Sequence, residues 1–146
     1  MDNQVVGVYP LLFSNLISPQ MNSIVKKRFD LLVTESGKSI SQTFELDKNI
    51  PLIVGLLLTS NRDDLLYYRG SQRLEVNKQE IFPEGYESKL LMTGINVSPN
   101  TRYYDTGQLA TGNRIIKMEY TDHNDTRAPF EPYRVSLYVS CEQTEI

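Results

Sequence analysis

Cysteine and histidine are almost absent from this chain, and tryptophan is missing altogether. Its 146 residues include one cysteine, Cys141, and one histidine, His123. A single cysteine excludes an intramolecular disulfide, and a structural zinc site would have to rely on this one cysteine and one histidine. Because 40% of the residues are hydrophobic, the chain can build its core without a metal or a cross-link. We expect no metal site and no cofactor.

The chain also lacks an excess of positive charge and a long apolar run. Its 15 basic and 18 acidic residues give a net charge of −3. A duplex nucleic-acid-binding protein needs a concentrated basic face to neutralise phosphates, so we expect no duplex nucleic-acid partner. The most apolar run, residues 53–58, is far too short to cross a bilayer. Since Met1 to Gln4 carry no basic residue, we expect no secretory signal and synthesis in a cytoplasm.

Short segments in which apolar and polar residues alternate dominate the chain from about residue 24. Turn residues separate them about every 8–12 positions, and no long stretch shows the apolar stripe of a helix. This spacing predicts an all-β fold, an antiparallel β-sandwich that is most simply a jelly roll with eight strands. The main predicted strands are residues 28–33, 43–46, 52–59, 72–76, 114–120 and 134–141, of which residues 52–59 can be buried on both faces.

Further strands are predicted at residues 65–68, 80–82 and 87–93, the second of them ending at Pro83. Long loops are predicted at residues 95–113 and 121–132. A lipocalin-like barrel fits these loops less well than a jelly roll does. An immunoglobulin-like sandwich lacks its usual tryptophan and cysteine pair here.

Residues 1–23 are assigned to an N-terminal arm and residues 24–146 to the sandwich domain. Within the arm, residues 4–8 fit a short strand and residues 11–17 fit one turn of helix. The apolar side chains of the arm must be buried against this domain or against a neighbouring subunit.

The single histidine limits the catalytic chemistry that the chain can perform. A Ser-His-Asp or Cys-His mechanism has His123 as its only base. The neighbouring Asp122, Asn124 and Asp125 offer oxygens to a hard cation, but the glycine and distal glutamate of an EF-hand loop are missing. The favoured interpretation is an exposed loop whose Asx side chains cap their own backbone. Cys141 is in phase with the apolar face of the last strand, which predicts a buried, inert thiol. We expect no catalytic residue.

Tyrosine is abundant, with nine copies. Consecutive tyrosines in a strand point to opposite faces, so we expect one member of each pair to face outward. An exposed tyrosine beside Arg69 or Arg102 is typical of a protein–protein contact, and also of a carbohydrate-binding or single-strand-stacking platform. The tyrosines concerned are Tyr67 with Tyr68, Tyr103 with Tyr104, and Tyr133 with Tyr138.

Two segments, Asp64–Ser71 (DLLYYRGS) and Glu80–Tyr86 (EIFPEGY), resemble minor virion proteins of bacteriophages. The resemblance is to the small single-jelly-roll proteins that occupy vertices or decorate capsids of tailless phages. It implies a non-enzymatic structural protein of the virion that forms a homo-oligomer, with a pentamer at a fivefold vertex as one arrangement. It also implies that the arm contacts other capsid proteins. The alternatives are a monomeric ligand-binding β-sandwich, such as a carbohydrate-binding module, and an enzyme that uses His123.

Overall fold

Residues 22–144 are described by the computed structural model, and they contain eight strands and three short helices. The helices are a seven-residue α-helix, α1 (Asp63–Arg69), and 3-10 turns at Ser88–Leu91 and Pro99–Thr101. The strands are β1 (Asn22–Val33), β2 (Ser39–Glu45), β3 (Leu52–Ser60), β4 (Gly70–Val76), β5 (Gln79–Glu87), β6 (Tyr104–Ala110), β7 (Ile115–Asp122) and β8 (Tyr133–Thr144).

The predicted arm, with its strand at residues 4–8 and helical turn at residues 11–17, lies outside the described residues. Only the last two residues of that segment, Asn22 and Ser23, are described, and they begin β1.

The strands form two antiparallel four-stranded sheets, which confirms the predicted all-β sandwich of eight strands. Sheet one has the order β1-β8-β3-β6 and sheet two has the order β2-β7-β4-β5. Pairs β1·β8, β2·β7, β3·β6 and β4·β5 are all antiparallel. The chain therefore resembles one long hairpin rolled up so that its paired strands alternate between two sheets. The tip of this hairpin is the two-residue turn Asn77–Lys78, whose φ values of 54° and 64° are typical of a type I′ turn.

Both sheets contribute their inward faces to one hydrophobic core. On β7 the inward residues are Ile116, Met118 and Tyr120, and on β8 alternate residues from Tyr133 to Cys141 are buried. The apolar strand β3 is buried on both faces as predicted, since the outward-facing Leu57 is only 8% exposed. The burial of Cys141 confirms the prediction of a buried thiol, and this burial raises its pKa to about 11.

The strand predicted at residues 65–68 is wrong, because this segment is α1. Leu65 and Leu66 are both fully buried, which two consecutive strand residues facing opposite sides of a surface element cannot achieve. In a helix they lie about 100° apart and can share one buried side. For the same reason Tyr67 and Tyr68 are both exposed, by 47% and 39%, whereas one member of the pair was expected to face outward.

Three further boundaries differ from the sequence prediction. β5 continues through Pro83 because it is an edge strand. At an edge, the backbone N–H that proline lacks is not needed for a hydrogen bond to a second neighbouring strand. Residues 88–91 form a 3-10 turn and not a strand. Residues 104–110 form an edge strand and not a loop, since Gly107, at a φ of 67°, and its small polar neighbours allow an irregular strand.

Gly70, between α1 and β4, makes the closest backbone approach in the core. A methyl group there would overlap the Tyr120 hydroxyl and lie 2.7 Å from Ser88 Oγ. We expect Gly70→Ala to lower the free energy of unfolding by about 1–3 kcal/mol, because overpacking must displace these groups. Gly94→Ala is the matched control, since its added methyl would have no heavy atom nearer than 4.0 Å. Urea denaturation of both variants measures the difference, and equal losses would contradict the packing described.

Candidate functional site

A buried ion pair between Arg69 and Asp122 lies next to a groove on the described surface. Arg69 ends α1 and Asp122 ends β7, and their side chains are only 3% and 0% exposed. Arg69 Nε donates to Asp122 Oδ1 at 3.0 Å and Nη2 donates to Oδ2 at 2.8 Å. This two-point geometry fixes both side chains, since a guanidinium and a carboxylate match each other in a plane.

Other groups use the remaining hydrogen-bonding capacity of the pair. Arg69 Nη1 donates to the carbonyls of Asp125 and Ala128, at 3.2 and 3.1 Å. The Gly37 N–H and the Tyr133 hydroxyl donate to the Asp122 carboxylate, at 2.9 and 2.6 Å. The pair therefore anchors the loop after β7, the corner between β1 and β2, and the start of β8.

Protonation states follow from this arrangement. Burial alone would raise the pKa of the Asp122 carboxyl, but hydrogen bonds led by Arg69 hold it below the ordinary value of 3.8. Burial raises the pKa of Tyr120 and of Tyr133 well above the ordinary value of 10. Both phenols are protonated, and because the Tyr133 proton goes to Asp122, Tyr120 donates to the Tyr133 oxygen at 2.8 Å.

The groove lies on the outer face of sheet two, at the end where α1 joins β4. Its volume is about 550 Å³. Three segments of the chain converge on it: α1 with the start of β4, the end of β5 with the 3-10 turn that follows, and the loop after β7. The residues that line this groove, called the tyrosine groove below, are Tyr67, Tyr68, Gly70, Ser71, Gly85, Glu87, Lys89, His123, Asp125 and Arg127.

His123 lies in the tyrosine groove and contacts a serine that sequence reasoning missed. Ser71 Oγ and His123 Nε2 are 2.8 Å apart, although 52 positions separate them in sequence, so no local motif could reveal the pair. Ser71 is almost fully buried, and the neighbouring Asp122 is committed to Arg69 and Tyr133. Nucleophilic catalysis needs a reachable hydroxyl and a group that orients the base, and the described residues give this pair neither.

The polar loop after β7 follows its predicted behaviour only in part. Asp125 Oδ1 accepts the Arg127 N–H at 3.0 Å, which is the expected Asx cap. Asp122 instead belongs to the buried pair, and Asn124 accepts a hydrogen bond of 2.6 Å from Ser36. Within residues 22–144 no three His, Cys, Asp or Glu side chains are grouped so that they could hold a metal ion.

Charges in the tyrosine groove are paired. Arg127 lies 2.6 Å from Asp125 and, through its hydrogen bond, lowers the pKa of that carboxyl to about 2. Lys89 lies 3.8 Å from Glu87. The two cations and two carboxylates cancel, so the lining has no net charge while His123 is neutral.

The arginine beside the exposed tyrosines is not the one predicted. Arg69 was expected beside Tyr68 at the surface, but it is buried in the ion pair. Arg127 takes that place, with its guanidinium carbon 4.7 Å from the Tyr68 ring centroid, and Lys89 Nζ lies 5.5 Å from the Tyr67 ring centroid. Arg102 holds the carbonyls of Val97 and Ile95 within its own loop.

A second candidate site lies at the edges of the two sheets. Three of the four described edge strands carry features that hinder pairing with another chain. β1 contains Lys26, Lys27 and Arg28. β5 contains Pro83 and an irregular register, and β6 contains Gly107 opposite a register shift in β3. Charges, proline and irregular backbone are the usual protections of a sheet edge.

β2 has none of these protections. Its register with β7 is continuous from Ser39 opposite Thr121 to Glu45 opposite Ile115. Its sequence, SISQTFE, contains no proline or glycine, and its single charge is at the last position. No other described strand pairs with its second edge. Among the described edges, β2 is therefore the one best suited to accept a strand from another chain.

Asp122→Asn should destabilise the fold strongly, because it leaves the Arg69 charge buried without a counter-charge. We expect a loss of about 3–5 kcal/mol in the free energy of unfolding near neutral pH. Asp64→Asn is the matched control, since Asp64 makes the same two-point contact to Arg62 at the surface, and it should change stability little.

The pH dependence gives a second measurement of the same pair. Because the pKa of Asp122 is lower in the folded chain than the ordinary 3.8, its contribution is complete above that value and is lost as pH falls through the folded pKa. Urea denaturation at a series of pH values should show this acid-linked loss in the native chain and a smaller one in Asp122→Asn. An unchanged profile would contradict the assignment.

No helix within residues 22–144 is long and apolar enough to span a membrane. Comparison of the chain with protein-family models, with curated proteins and with solved structures finds no match.

Proposed function

We propose that this chain is a non-enzymatic structural protein that assembles as a homo-oligomer, with the strand arrangement of a jelly roll. The rolled-up pairing of β1·β8, β2·β7, β3·β6 and β4·β5 supports the jelly-roll assignment, because that fold has eight strands in two Greek keys. Viral capsid domains use this fold, as the resemblance to phage virion proteins also implies. Since a fold alone does not define a function, the proposal depends on a specific surface.

The open edge of β2 is the observation that carries the proposal. A seven-residue strand whose second edge meets no other described strand exposes backbone donors and acceptors that a second chain can satisfy. The other three described edges carry protective features and this one does not, which is expected if the β2 edge is covered in the assembled protein. Strand addition at β2 would extend sheet two across the boundary between two chains.

The sequence of β2 is complementary to a second copy of itself. In antiparallel pairing centred on Gln42, Ile40 of one copy lies opposite Phe44 of the other, and Ser41 lies opposite Thr43. An aromatic residue opposite a β-branched one, and hydroxyls opposite each other, are favourable cross-strand pairs. Glu45 lies opposite Ser39, so no like charges meet.

The edge of β1 fails the same test. Two-fold antiparallel pairing centred on Lys27 would set Lys26 opposite Arg28, and like charges opposite each other are destabilising. A two-fold contact through β2 is therefore the arrangement that we propose. It is isologous, since both copies use the same residues.

We also propose that this assembly is part of a phage particle and contacts other capsid proteins. Ile24 and Leu32 are exposed on the outer face of β1 and support a contact with a different protein. An antibody against the chain should label purified particles of the phage that encodes it. Particles that lack the chain entirely would contradict this placement.

Light scattering of the purified chain tests the β2 contact. We expect a mass of twice the 16.8 kDa of one chain. The double variant Ser41→Lys with Thr43→Lys should be monomeric with an unchanged circular dichroism spectrum, because it sets lysines opposite lysines across the two-fold axis.

Gln108→Lys is the matched control, since it adds a lysine to the exposed edge strand β6 and should leave the mass unchanged. A monomeric native chain would overturn the homo-oligomer. A pentamer whose mass the double variant does not alter would overturn the β2 contact.

A further inference from the structure

We propose that the tyrosine groove binds a neutral carbohydrate. This site is separate from the β2 edge, because no residue of β2 lines it. The proposal therefore goes beyond assembly and does not depend on it.

The shape of the groove suits a small ligand. Its volume of about 550 Å³ falls within the range of about 300–1,000 Å³ that is usual for ligand sites. Residues from three separate chain segments converge on it, as they do in sites where a few polar groups fix the orientation of a ligand.

Two exposed tyrosines give the groove an aromatic wall. The rings of Tyr67 and Tyr68 pack edge to face, with centroids 4.9 Å apart. Lys89 and Arg127 lie over these rings, and the two tyrosine residues are still 47% and 39% exposed. An aromatic ring is apolar on its body and polar at its hydroxyl, which matches a sugar ring with C–H groups on its face and hydroxyls at its edge.

Polar groups in the groove offer both donors and acceptors to sugar hydroxyls. Glu87 and Asp125 can accept hydrogen bonds, while Lys89 and Arg127 can donate them. Each carboxylate stands beside a cation, so a hydroxyl that bridges such a pair can donate to one partner and accept from the other. His123 also lines the groove, with its Nε2 atom 2.8 Å from Ser71 Oγ.

The charge balance selects a neutral ligand over an anionic one. Both cations already have a carboxylate partner, so a phosphate or sulfate would meet no unpaired positive charge and would be repelled by Glu87 and Asp125. A phosphate site normally gathers unpaired basic side chains or backbone N–H groups.

The walls of the groove are held in place before a ligand arrives. Arg69 donates to the Asp125 carbonyl, and the His123 N–H donates to the Arg69 carbonyl at 2.8 Å. The buried ion pair thus fixes the loop that carries both residues. Preorganisation of this kind reduces the entropy lost on binding.

An NMR titration of the full ¹⁵N-labelled chain tests the proposal. The probes are soluble neutral hexasaccharides of glucose, mannose, galactose, xylose and N-acetylglucosamine, and a sulfated heparin hexasaccharide as the anionic comparison. We expect at least one neutral probe to cause saturable shifts of the Ser71, His123 and Arg127 amide signals. The sulfated probe should bind more weakly than that neutral probe.

Variants connect the binding to the tyrosines. Tyr67→Ala and Tyr68→Ala should each weaken binding by about tenfold or more, as expected for aromatic residues central to a site. Tyr104→Ala is the matched control, because Tyr104 is as exposed as Tyr68, at 39%, but lies outside the groove, and it should bind as the native chain does.

Three results would overturn the proposal: no saturable shift with any neutral probe at millimolar concentration, tighter binding of the sulfated probe, or an equal loss in Tyr104→Ala. The double variant Ser41→Lys with Thr43→Lys should bind the sugar at each groove as the native chain does. If this variant becomes monomeric and still binds the sugar, both proposals stand. Loss of one property without the other shows which of the two proposals fails.

Discussion

The ion pair between Arg69 and Asp122 is the constraint on which one end of the sandwich depends, the end where α1 joins β4. Removing both charges from water costs several kcal/mol for each ion, and their attraction offsets this only when nearly every donor and acceptor is satisfied. Here Ser36, Gly37, Tyr133 and the carbonyls of the loop after β7 complete the set. The network accepts only one geometry, so it determines how α1, the loop and the two sheets meet.

The hydrogen-bond network around this ion pair also explains the glycine at position 70 and the fixed loop after β7. Gly70 has to be glycine because Tyr120, whose hydroxyl donates to Tyr133, lies against its α-carbon. The loop that holds His123, Asp125 and Arg127 has no regular secondary structure, yet Arg69 binds it at two carbonyls. A surface groove with fixed walls is the result, even though the walls belong to segments far apart in sequence.

The edges of the sandwich show a different kind of constraint. An open sheet edge tends to pair with any available strand, so folded proteins protect it with charge, proline or irregular backbone. β1, β5 and β6 each carry one of these features, whereas β2 keeps a regular backbone and a self-complementary order of side chains. Because the other three described edges are protected, the unprotected edge of β2 is better evidence for a contact with another chain than the exposure of any single residue.

The sequence alone determined the all-β class, the eight-strand sandwich and the buried thiol of Cys141, because alternation of apolar residues depends on local geometry. It also predicted that some tyrosines face outward, as Tyr67, Tyr68 and Tyr104 do. Tertiary structure alone decided that Leu65 and Leu66 belong to a helix, because a short apolar run has no period and its form depends on the surface it must fill. The pairing of Ser71 with His123, the burial of Arg69 and the open edge of β2 likewise arise only when distant segments meet. Hydrogen bonds and strand neighbours form between residues that no local pattern links, so only the folded chain could reveal these three features.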